Sequence, residues 1–186
     1  RETSAAELHA LGEIFDGVLS VRRRGLFWWT MGLTMQAVYL VGLEQFLVYM
    51  CEAPRALHRL MAFLRDDHLN FLDWLEREDL LTLNNENDYV GSGSFGYCSD
   101  LPRPDRRAGD PIRGVDLWGL IESQETSGAG PAQYAEFVFP YHQALAARFG
   151  QVYYGCCEPV DGRWDYIQGF PNLKRVSISP WANQEL

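Results

Sequence analysis

The sequence predicts an α/β fold with parallel strands, because short apolar runs alternate with longer segments in which apolar residues recur every three or four positions. The run at 26–30 is apolar up to its last residue, as expected for a strand that is buried on both faces. In chain order, we expect strands at residues 26–30, 80–84, 116–121, 151–154 and 174–179.

The helices between these strands have recognisable start signals. Ser4 and Glu7 form a capping-box pattern that opens a helix reaching towards residue 25. Pro54 stands at the first turn of a long helix, a position that tolerates proline. Pro131 opens another helix, which we expect Pro140 to kink. Further helices are predicted at about 35–50 and 164–169, and a long polar loop at 85–111.

The composition predicts one domain and argues against two kinds of partner. The chain has 186 residues, enough for one sizeable core, so we expect a single domain over residues 1–186. A net charge of −9 disfavours binding to nucleic acid, which depends on Lys and Arg. No apolar run approaches the roughly 18–20 residues that span a bilayer, and no signal peptide is recognisable, so no membrane partner is expected. Four cysteines, two of them adjacent, do not suggest a disulfide framework, so we expect a reducing cytoplasm.

The strongest chemical signal follows the fourth predicted strand, where Gly155 precedes Cys156, Cys157 and Glu158. Glycine lets the chain turn sharply, so these side chains are presented at the carboxyl end of the strand, where parallel α/β folds bind ligands. Thiolate and carboxylate groups are accepted zinc ligands. Because adjacent cysteines do not easily bind one metal together, at most one of the two is expected to be a ligand. The alternative is a pair of inert thiols beside a solvated carboxylate.

Other predicted strands also end in polar residues. Asn84 and Glu86 follow the second strand, Glu122 and Gln124 the third, and Trp181 comes after the fifth. If these strand ends converge, the chain has an active site; the alternative for the carboxylates is a helix start or a solvated loop. The sequence contains no dinucleotide-binding glycine motif, phosphate loop, zinc-protease motif or nucleophile elbow.

One stretch carries a family resemblance. Residues 122–128 are a polar turn, and residues 130–141 match a helix pattern of the form Ser-Pro-x-x-Phe-x-x-Phe-x-x-Pro-Tyr, ending at Pro140 and Tyr141. Together they resemble the uroporphyrinogen decarboxylase superfamily, in which a strand ending in His-x-Cys-Gly occurs where this chain has residues 150–158. The resemblance implies a TIM (β/α)8 barrel, of which this chain would be a partial, middle-to-late piece.

That superfamily includes a cofactor-free decarboxylase of the haem pathway and methyltransferases that pass a methyl group from a corrinoid to a thiol with the help of zinc. The position of the family histidine corresponds to about Gly155, so this chain lacks that zinc ligand. Cys157 takes the place of the family cysteine and is the candidate zinc ligand. The resemblance therefore implies a divergent corrinoid-dependent methyltransferase that acts on a small-molecule substrate, with a corrinoid protein as a possible partner.

The candidate residues divide into three groups. Those expected in catalysis are Glu86, Glu122, Gln124, Cys156 and Glu158, those expected to bind the cofactor are Asn84, Tyr141 and Trp181, and the metal ligand is Cys157. A tetrapyrrole decarboxylase is the alternative, disfavoured because the strand ends are acidic and such a substrate needs cations. A non-catalytic protein that binds a corrinoid or tetrapyrrole is the other.

Overall fold

A computed structural model describes residues 2–25 and 30–185, and its centre is a parallel sheet flanked by helices on one face and a hairpin on the other. The helices are α1 (Glu2–Ile14), α2 (Leu33–Val41), α3 (Leu43–Glu52), α4 (Pro54–Arg77), α5 (Pro131–Phe137), α6 (Phe139–Ala146) and α7 (Trp164–Ile167). The strands are β1 (Tyr89–Gly91), β2 (Ser94–Phe95), β3 (Trp118–Ile121), β4 (Gln151–Tyr154) and β5 (Leu173–Val176).

The parallel sheet has the order β3–β4–β5. In its register Trp118 lies opposite Gln151 and Ile121 lies opposite Tyr154, so β3 and β4 end at the same level. Both strands are buried along their whole length, whereas β5 is only half buried. On the outer side of β3, the Met31 N–H donates to the Leu120 carbonyl at 2.7 Å, which brings the chain leading into α2 alongside the sheet.

The helical face contains the main core. Helix α4 contacts α2, α3 and α6, and it buries a stripe of residues spaced by three or four positions: Leu57, Met61, Leu64, His68, Leu72 and Leu75. This spacing places the stripe on one side of the helix. Truncating such a buried leucine or methionine to alanine typically costs about 2–5 kcal/mol, so α4 is a main source of stability.

The opposite face of the sheet packs against the β1–β2 hairpin. Trp118, Leu120 and Tyr153 alternate with the core-facing residues of their strands and form a second, smaller cluster under the hairpin. Arg175 of β5 donates to Ser94 Oγ at 3.0 Å and to the Tyr97 carbonyl at 2.8 Å. The hairpin is therefore fastened to the sheet by an arginine as well as by apolar contacts.

The predicted barrel is wrong, because the described residues form an open sheet of three parallel strands plus a two-stranded antiparallel hairpin. Strand signals at 116–121, 151–154 and 174–179 are matched by β3, β4 and β5 with somewhat different bounds. Residues 80–84 form no strand, since the Asn84 side chain, not a backbone ladder, bonds the backbone of Trp118. The predicted strand at 26–30 falls mainly on residues 26–29, outside the described part.

Two helix predictions also need correction, both because of glycines with positive φ. The first helix ends at Ile14 rather than near residue 25, and Gly17 follows with φ 72°. The predicted helix at 35–50 is broken at Gly42, where φ is 85°. A side chain would be strained at either angle, so glycine permits both breaks. Pro140 lies in the first turn of α6, and the expected kink appears as the break between α5 and α6.

Within the described residues, no single helix has the length and apolar character needed to cross a bilayer. Among the helices of the described ranges, only α2 and α3 taken together, bent by 96° at their junction, satisfy those two criteria.

Candidate active site

The ends of β3 and β4 bring Glu122 next to the turn at Gly155. The Gly155 N–H donates to the Ile121 carbonyl at 2.8 Å, which continues the parallel ladder one residue past β4. At Gly155 φ is 97°, in the region that favours glycine, and a Cβ there would lie 3.3 Å from the Cβ of Ser177. The chain therefore turns at Gly155, and Cys156 follows close to Glu122, as the pairing of parallel strands predicts.

Glu122 is a buried carboxyl group, 1% exposed. Burial raises its pKa to about 7, and the negative charges of Glu125 and Glu158 add to this rise. Hydrogen bonds from the Gln124 N–H, at 3.0 Å to Oε2, and from Thr30 oppose it. A carboxyl group with this pKa is about half protonated at neutral pH, so it can both accept and donate a proton.

The segment before α2 closes one side of this carboxyl group. A Cβ on Gly32 would lie 2.7 Å from the Glu122 carbonyl oxygen and 3.0 Å from its Cδ, so no side chain fits there. The position of Gly32 is set by two hydrogen bonds. Its own N–H donates to Thr30 Oγ1 at 2.9 Å, and the next N–H, of Leu33, donates to His142 Nε2 at 3.3 Å.

His142 is fully buried on α6, and burial lowers its pKa to about 3, with the positive charges of His68 and Arg163 acting in the same direction. The ring is therefore neutral, and because Nε2 accepts from Leu33, the proton resides on Nδ1. His142 is not among the candidate residues of the sequence analysis. In the structure it holds the start of α2, and with it Gly32, against Glu122.

Two thiols follow Gly155, and the nearer one, Cys156, is close enough to Glu122 for the negative charge of that carboxylate to add to the effect of burial in raising the Cys156 pKa. Cys156 is partly buried and Cys157 is exposed, and their sulfur atoms are 3.7 Å apart. Burial raises the pKa of Cys156, and a hydrogen bond from Ser92 opposes the rise. Ser92 lies at the tip of the β1–β2 hairpin, and its carbonyl accepts from the Tyr153 hydroxyl at 3.0 Å. The hairpin thus reaches the strand ends and contacts the thiol.

Glu158 is turned inward and is enclosed by donors. Its Oε1 accepts from the Ser123 N–H at 2.9 Å, and its Oε2 accepts from Ser123 Oγ at 2.8 Å and the Tyr154 hydroxyl at 3.2 Å. Arg163 lies 3.4 Å from Oε2. Burial raises the pKa of Glu158, and the bonds from Ser123 and the charge of Arg163 oppose that rise. With its oxygens engaged by the protein, Glu158 positions Ser123, the residue after Glu122.

Arg163 also holds the turn that follows β3 by hydrogen bonds. It donates to Thr126 Oγ1 at 3.1 Å and to the Ala129 carbonyl at 3.1 Å, and its guanidinium lies 4.6 Å from the centre of the Tyr134 ring. A buried charge pair of this kind is retained only when both partners are well hydrogen-bonded. The sequence analysis did not single out Arg163, because its partners are 34 or more positions away for these bonds.

Two other candidate residues lie at the opposite end of the sheet. Asn84 bonds the backbone of Trp118, the first residue of β3, through both its amide oxygen and its nitrogen. Glu86 is exposed beside it and lies 3.7 Å from Arg22. Glu122 follows the last residue of β3, about 13 Å away at the usual rise per residue. The structure therefore does not bring Glu86 and Asn84 together with Glu122.

The remaining candidates lie on the surface or in helix contacts. Gln124 is exposed, and its described bonds involve its backbone. The Tyr141 hydroxyl bonds His58 Nδ1 at 2.7 Å, which links α6 to α4. Trp181 is 75% exposed. Of the sequence-predicted residues, the structure therefore brings together Glu122, Cys156, Cys157 and Glu158.

The donor set near the thiols does not match a protein-held zinc ion. A structural zinc site needs four protein ligands and a catalytic one needs three. In residues 2–25 and 30–185, no group of three or more His, Cys, Asp or Glu side chains is arranged to hold a metal. Zinc binding by Cys157 therefore stays a prediction.

A separate cavity lies beside the segment that follows Glu158. It measures about 870 Å³, and its wall includes Val160, Trp164, Tyr166 and Ile178. Neither Glu122 nor the thiols line it. We place the candidate active site at the strand ends because a carboxyl group with a pKa of about 7 and two thiols are grouped there.

Comparison with known protein families, curated proteins and solved structures found no match. The resemblance to the uroporphyrinogen decarboxylase superfamily thus stays a prediction.

Proposed function

We propose that this chain is an enzyme that transfers a methyl group from a corrinoid to a small-molecule acceptor, with Glu122 as its acid–base residue. The observation that carries the acid–base role is the buried Glu122 carboxyl group, with its pKa of about 7, beside Cys156 at the ends of two parallel strands. The corrinoid as methyl donor rests on the resemblance in the sequence.

In this reaction the methyl group leaves the donor without the bonding electron pair, which stays with the donor. A new bond forms between the methyl carbon and the acceptor heteroatom, and the proton of the acceptor passes to the Glu122 carboxylate. Glu122 then returns the proton to solvent. At neutral pH about half of the Glu122 groups are in the charged form that this step needs.

The residues around Glu122 support this role by holding its carboxyl group in place. Gly32 and Thr30 restrict the carboxyl group on one side, and the Glu158–Ser123 bonds fix the backbone on the other. General acid–base catalysis depends on such positioning and typically contributes about 10²–10⁴-fold to the rate. Glu158, Ser123 and Arg163 act as positioning residues here.

Decarboxylation of a tetrapyrrole is the second candidate, because protonated Glu122 could deliver a proton to the carbon that loses carbon dioxide. Its substrate would need cations for its several carboxylates. Two arginines that contact residues near this edge are already engaged: Arg163 bonds Glu158, and Arg175 bonds the hairpin. This engagement favours methyl transfer over decarboxylation.

The test is to incubate the protein with methylcobalamin and a panel of small thiols and amines and to follow demethylation by absorbance. We expect turnover that falls about 10²-fold or more in Glu122→Gln and is unchanged in Glu13→Gln, an exposed carboxylate on α1. Uroporphyrinogen is assayed in parallel for carbon dioxide release. Release that depends on Glu122 would support the second candidate instead. Turnover of neither substrate class would contradict both, and corrinoid binding without turnover would identify a binding protein.

A further inference from the structure

Cys156 and Cys157 form a pair of neighbouring thiols just after β4, whose role is independent of the proposed function. Their sulfur atoms are 3.7 Å apart, and Cys157 is exposed to solvent. The Ser177 hydroxyl donates to the Cys156 carbonyl at 3.0 Å, and the turn at Gly155 fixes the chain just before it. Both thiols are thus held at the same solvent-facing edge.

The separation of the two sulfur atoms matches the bite of a single thiophilic centre. With metal–sulfur bonds of about 2.3 Å and the tetrahedral angle of zinc, two ligand sulfurs are about 3.8 Å apart, and the smaller angle at a pyramidal trivalent arsenic brings them somewhat closer together. A small approach of the two side chains therefore brings the pair to the spacing that arsenic needs. This removes the objection, raised from the sequence, that neighbouring cysteines do not easily bind one centre together.

The number of available ligands decides which centre fits. Thiolates prefer soft centres, and zinc would take further protein ligands. The described residues supply no third His, Cys, Asp or Glu side chain to such a group. A centre that is satisfied by two protein sulfurs and carries its remaining substituent itself fits this donor set, as trivalent arsenic with one organic group does.

We propose that Cys156 and Cys157 are a chelating dithiol site for a soft, thiophilic centre of the trivalent organoarsenical type. The reaction needs no oxidant or reductant. An arsenic–oxygen double bond is replaced by two arsenic–sulfur bonds, and the two thiol protons leave with the oxygen as one water molecule. Once the first sulfur is bonded, the second bond forms within the molecule, which raises the retention of the ligand by about 10²–10⁴-fold.

The other two cysteines provide matched controls. Cys51 is exposed on α3, and Cys98 is half buried after the hairpin. In the described structure neither has a sulfur–sulfur contact, the one such contact being between Cys156 and Cys157. Each can bond an arsenical through one sulfur, and excess monothiol displaces a ligand held in that way.

The experiment treats the reduced protein with one equivalent of phenylarsine oxide, adds excess glutathione, and follows the bound arsenical by intact mass spectrometry. We expect one arsenical to be retained in the wild type, in Cys51→Ser and in Cys98→Ser, and to be removed by 1,2-ethanedithiol. Cys156→Ser and Cys157→Ser should each shorten its lifetime in glutathione about 100-fold. Circular dichroism checks that each variant is folded, and Cys157→Ala repeats the test at the exposed position.

Two results would overturn the proposal. One is loss of the arsenical from the wild type in glutathione as fast as from Cys157→Ser. The other is undiminished retention in either single variant. Because neither readout involves methyl transfer or Glu122, failure here leaves the proposed function standing, and failure of the proposed function leaves this site standing.

Discussion

Gly32 lies directly against the carboxyl group of Glu122, so that a Cβ on Gly32 would fall 3.0 Å from the Glu122 Cδ. The residue before α2 and the residue after β3 are therefore packed directly against each other. His142 of α6 maintains this contact, because its Nε2 accepts a hydrogen bond from the Leu33 N–H at the start of α2. A glycine 90 positions earlier in the chain thus becomes part of the environment that holds Glu122.

Replacing Gly32 with alanine should disturb Glu122 without straining the backbone. At Gly32 φ is −68°, which alanine adopts freely, so the effect is steric. We expect a loss of about 1–3 kcal/mol in the free energy of unfolding and a displaced Glu122 pKa. Urea denaturation measures the first. Gly12→Ala, in α1 with open space around it, is the matched control and should be neutral or stabilising. Equal stability of Gly32→Ala and wild type would show that the contact is looser than described.

Stability should depend on pH through Glu122. Its folded pKa of about 7 is above the unfolded value of 4.5, so the folded protein binds more protons between these values. The contribution of Glu122 is therefore favourable below about pH 4.5 and is lost as the pH rises towards 7, by about 3 kcal/mol as an upper value. The measurement is the difference in urea stability between wild type and Glu122→Gln at several pH values. A difference that does not change with pH would rule out the raised pKa.

Removing Arg163 should strongly destabilise the fold. In Arg163→Met, the buried Glu158 carboxyl loses its charged partner, and we expect a loss of about 3–5 kcal/mol. Combining it with Glu158→Gln should recover part of this loss, because no buried charge is then left unpaired. Chemical denaturation of the single and double variants forms a complete double-mutant cycle. Strictly additive losses would mean that the two side chains do not interact.

Arg175 should control the local stability of the hairpin. Its guanidinium lies 4.4 Å from the centre of the Trp118 ring and bonds Ser94 and Tyr97. In Arg175→Met we expect faster proteolytic cleavage between residues 89 and 98, with global unfolding changed much less. Limited proteolysis with mass mapping measures this, and Lys174→Met, at the exposed neighbouring position, is the control. Unchanged cleavage would mean that apolar packing alone holds the hairpin.

Local sequence signals sufficed for part of this structure. The apolar runs around β3, β4 and β5 predict strands, and parallel pairing then places Glu122 beside Gly155 and Cys156. The predicted barrel is wrong, because the described residues form three parallel strands in an open sheet and a separate hairpin. The segment at 80–84 has strand composition, yet the Asn84 side chain takes the place of a ladder.

The contacts that orient Glu158 and set the pKa of Glu122 could not be predicted from the sequence, for a different reason. The inward turn of Glu158 depends on donors from Ser123, Tyr154 and Arg163, and the pKa of Glu122 depends on its burial. Both are products of tertiary packing, and no spacing in the sequence reports them. The hairpin was similarly hidden in a polar segment, although Ser92 and Gly93 at its tip are ordinary turn residues.

The most direct test of the acid–base role is the pKa of Glu122 itself. Carbon-13 NMR of protein labelled at glutamate side-chain carboxyls, with Glu122→Gln to assign the signal, follows its titration from pH 3 to 9. We predict a midpoint of about 7. A midpoint near 4.5 would mean that Glu122 is fully charged at neutral pH and would contradict its assignment as the acid–base residue.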